Sequence, residues 1–535
     1  MLRSWLDRVV PALDAARERI DAVNVFPVPD GDTGTNVLLT VRGAADAVRA
    51  LDPAAPGPDV LRALGRGALL AARGNSGVIL SRYLGGLAEV PGAPLPEALR
   101  RAAEVARTAV HQPEDGTVLT VAARVAAAAQ DAAGRSGADE AAVLAAGVAA
   151  GRSDLAGISA AHPVLRSARV VDAGACALLV LLDALAAALA GATGPVDVSW
   201  LAAHAGAAVQ DRDADRGAQD RTSGPDDRAY EVMAVLHSPD PAGTDGLRAA
   251  LATAGDAVAV VEGAGVLTAH VHADDPAGAL AAVDGCGGRW TATVRALVPG
   301  EGPGGPSAVV ACTAHPVLAG TLALAGVVAL VLPAGVPEPE VRAALARAVE
   351  DARGPVHAAP SGTVPPGAEV VVLPGDRPAA AAASAGAPEP VRVRTTAVDE
   401  LQVLAAAVAL AHAGRGDVGA PTAVAADLDA ALAAVDRLLA ARPGGPDGPR
   451  TLVVLLGAGT TVDDGLDLAD RLAVGHPDVP VVVAGPVPAG PAYGLAIAST
   501  ASTGADVPGG PAHPSDPSHQ SDPSDPSEHR AEARP

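Results

Sequence analysis

The chain has no lysine: all 38 basic residues among its 535 are arginine. This absence excludes a Walker A loop and the protein-kinase fold, because both need a lysine amine at the nucleotide phosphates. It excludes Schiff-base catalysis for the same reason. A nucleotide bound by this chain must therefore be neutralised by metal ions, backbone amides or arginine.

Aromatic residues and cysteines are also scarce. Aromatics make up 1% of the chain, so its cores must be built from Ala, Leu and Val. The three cysteines, Cys176, Cys286 and Cys312, lie far apart, which gives no disulfide framework and no CxxC zinc motif. The first fourteen residues lack the apolar run of a signal peptide. We therefore expect a cytoplasmic protein.

Positive charge is in deficit, with 61 acidic residues against 38 basic ones and a formal net charge of −23. A nucleic-acid-binding protein would need a basic face for the phosphates, so we expect no nucleic-acid partner. Small molecules and proteins are the expected partners, and a homodimer is left open.

The length predicts two to four domains. Helical periodicity over residues 1–190 predicts an all-α domain, and the polar stretch 191–228 is typical of a linker. Residues 229–300 have the alternation of a small α+β domain, and residues 306–500 that of an α/β domain with a parallel sheet. The Ser-Asp-Pro-Ser repeats within 503–535 predict a disordered tail.

One uncharged stretch, residues 308–337, is long enough to cross a bilayer. Pro316, Gly320, Gly326 and Pro333 divide it into β-branched runs around a short Ala/Leu segment. This pattern predicts a buried strand–helix–strand unit rather than a transmembrane segment.

Asparagine occurs only three times, at Asn24, Asn36 and Asn75, and always within two short polar motifs. In the first motif, Asp30-Gly31-Asp32 places two carboxylates in a turn, and Asn24 adds an amide oxygen. Magnesium prefers such oxygen ligands, while an EF-hand is excluded because Val41 stands where its last glutamate belongs. An ordinary capped Asp/Gly turn remains the alternative.

Three further loops precede helix-like segments: Gly74-Asn75-Ser76-Gly77, Glu114-Asp115-Gly116-Thr117 and Asp172-Ala173-Gly174. Glycines let the backbone approach a ligand, and helix N-termini attract anions. Each loop alone is explained equally well by a helix cap. Together, at one end of a helical domain, the loops would form a lysine-free site for a metal and a nucleotide.

Residues 22–36 and 73–81 closely resemble the nucleotide-binding L domain of the dihydroxyacetone kinase superfamily, in the variant of bacterial fatty acid kinase A-type proteins. The resemblance implies an antiparallel helical barrel that binds ATP through magnesium. Asp30 and Asp32 would be the catalytic metal ligands, with Asn24 as a third. The implied nucleotide-binding residues are Thr33, Gly34, Thr35, Asn36, Asn75, Ser76, Gly77, Gly116, Thr117, Asp172 and Gly174. The chain departs from the family at Asp115, usually Glu, and at Ala175, usually Gly.

In the middle domain, His270 and His272 alternate in a strand-like run, which puts both imidazoles on one face. That arrangement suits zinc. The resemblance implies a cysteine as partner ligand, and Glu231 occupies the matching position here. We therefore treat Glu231, His270 and His272 as a candidate zinc site, with a metal-free polar groove as the alternative.

The α/β domain more weakly resembles DegV-like lipid-binding domains, and polar groups of that family are missing around Gly375 and Ala489. By resemblance, the chain is an ATP- and magnesium-dependent kinase subunit. Its acceptor would be a fatty acid carboxylate presented by a separate fatty-acid-binding carrier protein. A dihydroxyacetone-type kinase and a non-enzymatic ATP-sensing scaffold are the alternatives. Because every strong motif precedes residue 190, we also expect the helices alone to close the nucleotide site.

Overall fold

The computed structural model describes residues 1–135, 139–204, 229–239, 243–263, 265–297, 309–353, 370–375, 391–393, 399–413, 422–440 and 450–499. Within these ranges, the N-terminal part is helical, as predicted. Its helices are α1 Leu2–Ala22, α2 Thr33–Arg49, α3 Gly57–Ala71, α4 Gly74–Glu89, α5 Leu95–Arg107, α6 Val118–Ala133, α7 Glu140–Ser159, α8 Pro163–Ala168 and α9 Ala173–Leu189.

The long helices pack largely in chain order, from α1 on α2 through to α6 on α7, and α9 returns to contact α1. Small residues allow this close approach. A Cβ at Gly67, for example, would lie 2.5 Å from the Cβ of Ala47. Trp5 is fully buried and donates from its indole N–H to the carbonyl of Leu181 at 3.1 Å, which ties α1 to α9. The predicted core of Ala, Leu and Val is the core that forms.

Among the described residues, α7 is the one helix long and apolar enough to cross a membrane. It packs against α6 and α9, and Leu144, Val148 and Leu155 are buried. Core helices of soluble domains meet the same criterion, so α7 is weak evidence for a span.

The stretch 191–204, predicted as the start of a linker, packs on the helical domain. Arg8 donates to the carbonyl of Gly194 at 2.8 Å. Leu201 is buried in the helical core, and Arg152 stacks on the ring of Trp200 at 4.6 Å. The remainder of the predicted linker, 205–228, lies outside the described residues.

An eight-stranded sheet, in the order β2-β3-β1-β4-β6-β5-β7-β8, follows the helical domain. Its strands are β1 Tyr230–His237, β2 Gly255–Gly263, β3 Val266–Ala273, β4 Arg289–Ala296, β5 Val309–Thr313, β6 Val328–Val331, β7 Val370–Leu373 and β8 Val391–Val393. The pairs β5–β6, β5–β7 and β7–β8 are parallel, as predicted for the α/β part. The antiparallel pair β4–β6 continues the sheet across the predicted boundary between middle and α/β domains.

The helices of this region are α10 Gly243–Ala254, α11 Pro276–Asp284, α12 Pro316–Leu324 and α13 Glu338–Arg353. Residues 309–331 form the buried strand–helix–strand unit predicted from the uncharged stretch. One face of β1–β3 meets α3 and α4 of the helical domain. Met233, Val235 and Val261 pack there against Leu69 and Val78.

A second sheet, β11-β10-β12-β9, completes the C-terminal part. Its strands are β9 Thr422–Ala425, β10 Arg450–Leu456, β11 Val481–Ala484 and β12 Tyr493–Ser499, and its region includes α14 Glu400–Ala413, α15 Leu428–Ala440 and α16 Val462–Gly475. The predicted tail, 503–535, lies outside the described residues.

Candidate active site

The Asp-Gly-Asp turn joins α1 to α2, and buried Asn24 organises it. The Asn24 amide nitrogen donates to the carbonyl of Val28 at 2.9 Å and to Oδ1 of Asp30 at 2.6 Å. The Thr33 hydroxyl donates to Oδ1 of Asn24. The sequence suggested Asn24 as a metal ligand; here its amide positions Asp30 and Thr33.

Asp21, in the last turn of α1, is a site residue that the sequence analysis missed. Its Oδ1 accepts from the amides of Gly34 at 2.6 Å and Thr35 at 3.2 Å, and its Oδ2 accepts from the Thr35 hydroxyl at 3.0 Å. Burial, reinforced by the charge of Asp32, raises the pKa of Asp21 to about 7. The amides of Gly34 and Thr35, two residues that the resemblance assigned to nucleotide binding, are thus paired with a carboxylate within the protein.

The Gly74–Gly77 loop lies directly beside this turn. Gly74 has φ +53°, and a Cβ there would lie 2.6 Å from the amide nitrogen of the Asn36 side chain. The Ser76 hydroxyl is 3.2 Å from that of Thr33. A Cβ at Gly77 would lie 2.5 Å from the Thr40 hydroxyl, so this glycine lets α4 approach α2. The two asparagine-containing motifs therefore form one surface.

The other two predicted loops meet at the carboxylate of Asp172. Its Oδ2 accepts from the amide of Val118 at 2.9 Å and from that of Ala175 at 2.7 Å, so it caps α6 and α9 together. Burial raises the pKa of Asp172 to about 6, although these amide bonds oppose the shift. Thr117, at the start of α6, is buried and donates from its hydroxyl to the carbonyl of Glu114 at 2.8 Å.

Gly116 precedes this cap with φ +87°, and a Cβ there would lie 2.8 Å from the Cβ of His162. The His162 ring is buried, and its Nε2 lies 2.7 Å from Oε2 of Glu114. It also packs against Phe26, the only phenylalanine in the sequence, with ring centroids 4.2 Å apart. Phe26 thus connects the Asp-Gly-Asp motif to the Glu114–Thr117 loop.

A cavity of about 360 Å³ opens between these loops. The predicted residues that line it are Asn75, Ser76, Thr117, Asp172 and Gly174. Its opposite wall comes from the sheet region, at Ala252 and Gly255–Val258. This cavity is therefore closed by both the helices and the sheet region, whereas the sequence predicted that the helices alone would close the nucleotide site. The backbone amide of His111 donates to the carbonyl of Val258 at 3.2 Å and joins the two walls.

Ionisable side chains form a row across the neighbouring strands. The register pairs Asp256 with His272, His272 with Glu231, and Glu231 with Arg295. Directly opposed residues in antiparallel strands project from the same face. His270 joins the row from two positions along β3, and its ring centroid lies 4.8 Å from that of His272. The prediction that both imidazoles share a face is confirmed.

Hydrogen bonds connect this row to the helical loops. His270 Nε2 lies 3.2 Å from Oε1 of Glu231, and its Nδ1 lies 3.0 Å from Oδ1 of Asn75. The Arg295 guanidinium donates to Oε2 of Glu231 at 2.8 Å and to Oδ2 of Asp32 at 3.3 Å. The candidate zinc residues and the Asp-Gly-Asp turn therefore belong to one continuous site.

Comparison with known proteins agrees with this arrangement. Residues 27–187 match the DAK2 domain, and residues 227–294 match the middle domain of FakA-like fatty acid kinase proteins. The chain carries a DAK2 domain followed by a FakA-like middle domain. Both domain types point to a kinase-type protein.

Curated relatives match the chain over part of its length. Protein YloV of Bacillus subtilis is 32% identical over 279 residues, which is 49% of this chain and 48% of that protein. An uncharacterized protein of Staphylococcus epidermidis is 40% identical over 119 residues, 21% of each chain. One from Staphylococcus aureus is 34% identical over 179 residues, 32% of each. The chain thus spans about half, or less, of these relatives' length.

The donor chemistry in the DAK2 domain fits magnesium. Asp30 and Asp32 supply carboxylate oxygens, and hard cations prefer such ligands. The raised pKa of Asp21 has burial as its main cause and the neighbouring carboxylate of Asp32 as its second. A divalent cation would relieve that repulsion.

The middle-domain cluster fits zinc by its donors. One ligand atom each from Glu231, His270 and His272 lies within 4.8 Å of the others, and all three residues are buried. Burial, with the neighbouring His270, lowers the pKa of His272 to about 4, so its imidazole is neutral at pH 7 and can act as a ligand. Burial opposes the charge of Glu231, but Arg295 and the histidines outweigh it and hold its pKa well below the usual value.

Proposed function

We propose that this chain is an ATP-dependent kinase subunit that phosphorylates a fatty acid carboxylate presented by a separate lipid-carrying protein. The observation that carries the proposal is the convergence of three predicted loops on one cavity, whose lining residue Ser76 lies 3.2 Å from the Thr33 hydroxyl after the Asp-Gly-Asp turn. The matched domains support the same function. Acidic composition and the absence of lysine suit a site in which metal neutralises the phosphates.

In the proposed reaction, a carboxylate oxygen of the acceptor forms a bond to the γ-phosphorus as the bond to the ADP oxygen breaks. The products are an acyl phosphate and ADP. The acceptor is ionised at neutral pH, so no general base is needed, and catalysis consists of positioning and charge stabilisation. Asp30 and Asp32 would hold the magnesium, which supplies charge neutralisation at the phosphates. Ser76 and Thr117 line the cavity where hydroxyls can orient nucleotide.

Magnesium-dependent ATP binding tests the metal ligands. Asp32→Asn should weaken calorimetric ATP binding in the presence of magnesium by at least about 100-fold, because one anionic ligand is lost. Asp59→Asn is the matched control, since Asp59 forms an exposed pair with Arg62 on α3. Unchanged affinity in a folded Asp32→Asn chain would remove the metal assignment.

The identity of the phosphoryl acceptor is tested by chemical trapping of the acyl phosphate product. Cell extract containing the chain is supplied with ATP, palmitate and hydroxylamine, which converts an acyl phosphate to a stable hydroxamate. We expect palmitoyl hydroxamate only when both the chain and its extract partner are present. Phosphorylation of dihydroxyacetone by the purified chain alone would favour a dihydroxyacetone-type kinase instead.

We also propose that Glu231, His270 and His272 hold zinc. Metal analysis should find about one zinc per chain. His272→Ala should lose it, whereas His476→Ala should retain it, because His476 is a half-buried residue that pairs with the exposed Asp436. A stable, active preparation free of zinc would leave the cluster as a polar network.

A further inference from the structure

Arg295 carries positive charge into the candidate site from the middle domain. It lies at the end of β4, and its guanidinium bridges Glu231 and Asp32, two carboxylates whose side chains are only 6% and 7% exposed. Asp32 belongs to the DAK2 domain and Glu231 to the middle domain. The arginine thus joins the two domains at the proposed metal ligand.

Arg73, the arginine next to the Gly74–Gly77 loop, finds its partners outside this cluster. The Arg73 guanidinium pairs with Asp351 and donates to the carbonyls of Ala71 at 2.7 Å and Arg347 at 3.2 Å. These bonds hold Arg73 against α13. Because the chain has no lysine, fixed positive charge from a side chain at the transferring group must come from arginine.

Glu231 aims the Arg295 side chain. Both Nε and Nη2 of the guanidinium donate to Oε2 of this carboxylate, and Nη2 also lies 3.3 Å from Oδ2 of Asp32. If magnesium at Asp32 held a phosphate, that phosphate would therefore lie near the guanidinium. Charge builds on the phosphoryl oxygens during transfer, and arginine donors commonly stabilise it.

We propose that Arg295 is a catalytic residue that donates to the transferring phosphoryl group, supplied by the middle domain to a nucleotide in the DAK2 domain. Glu231 is its positioning residue. The proposal deepens the proposed kinase function and rests on it. No proton is transferred by the guanidinium, which acts only through its charge and its N–H groups.

Calorimetry on the full chain tests this role without an acceptor. ADP with magnesium is titrated alone and then with aluminium fluoride, a mimic of the transferring phosphoryl group. Aluminium fluoride should tighten ADP binding to the wild-type chain. Arg295→Met should lose at least about tenfold of that tightening, which is measured within each variant as the ratio of ADP affinity with aluminium fluoride to ADP affinity without it. Arg295→Lys should recover part of the fluoride-dependent tightening, because the lysine ammonium group supplies a point charge.

Arg289→Met is the matched control, because Arg289 lies on the same strand but pairs with Glu340 at 2.7 Å. This control should keep the full tightening. If Arg295→Met does not fold, Arg295→Gln replaces it, since glutamine keeps a donor for Glu231 without the charge.

The outcomes separate the two proposals. A wild-type chain that binds no ADP with magnesium overturns the kinase function, and the role of Arg295 with it. Wild-type binding of ADP without fluoride-dependent tightening overturns the role of Arg295 alone. Full tightening in the folded Arg295→Met or Arg295→Gln chain does the same.

Discussion

At the scale of single residues, Asp172 performs two tasks with one carboxylate. It caps α6 and α9 and lines the cavity between the domains. Its burial disfavours the charged form and raises its pKa from 3.8 to about 6. The carboxylate therefore fixes the two helix starts at an electrostatic cost that depends on pH.

Asp172→Asn should remove this pH dependence. Because the folded pKa is raised, the group's contribution to stability is full below pH 3.8 and is lost as pH rises through about 6. Lowering the pH from about 7.5 to about 5 should raise the free energy of unfolding of wild type by ~1 kcal/mol relative to the variant. Urea unfolding at both pH values measures the difference; parallel curves would show that the pKa of Asp172 is unshifted.

Local sequence motifs identified many residues of the candidate site. The residues that these motifs missed can be named one by one. The two asparagine-containing turns marked Thr33 and Ser76 as candidates for one site, and their hydroxyls lie 3.2 Å apart. The sequence analysis missed Asp21 because this residue lies in an ordinary helical pattern. The sequence analysis missed Arg295 because strand pairing, rather than sequence proximity, brings this residue to Asp32.

At the scale of secondary-structure elements, an ion pair and hydrogen bonds connect α13 to the start of α4. Arg73 and Asp351 form an ion pair whose side chains are 5% and 6% exposed. Arg347, also on α13, donates to the carbonyl of Leu70 at 3.1 Å. These bonds anchor the Gly74–Gly77 loop to the α/β part of the chain.

Asp351→Asn should destabilise the protein by about 2 kcal/mol, because it leaves Arg73 buried without its closest carboxylate. Glu350, 3.6 Å from Arg73, compensates in part. Glu338→Gln on the same helix is the control, since its pair with Arg342 is about half exposed and should contribute less than about 0.5 kcal/mol. Equal urea midpoints for the two variants would contradict the anchoring role.

Sequence patterns predicted the strands of the α/β part but not how they join. The β-branched runs at Val309 and Val328 mark buried strands, which the structure confirms. The pairing of β4 with β6 depends on contacts distant in the sequence, so alternation within each strand does not reveal it. For this reason the sequence suggested two domains, 229–300 and 306–500, where one sheet is continuous.

At the scale of the whole molecule, the cavity proposed to hold the nucleotide is lined by two domains. Magnesium and ATP should therefore slow hydrogen exchange in β2 as well as in residues 24–36 and 74–77, because β2 residues wall the cavity. Mass spectrometry of the full chain measures this, with β10 in the second sheet as the internal control. Protection confined to the helices would mean that the middle domain does not hold nucleotide.

The row Asp256–His272–Glu231–Arg295 has a consequence for how this region tolerates insertions and deletions. His272, Glu231 and Arg295 reach the shared face because β1 pairs in unbroken register with β3 and β4, whereas β2 has a register shift between Asp256 and Ala259. One residue added within β1 would turn Glu231 to the opposite face and part it from both His272 and Arg295. Strand length here is therefore as tightly constrained as residue identity, and changes in chain length between homologous proteins should fall in the loops between these strands.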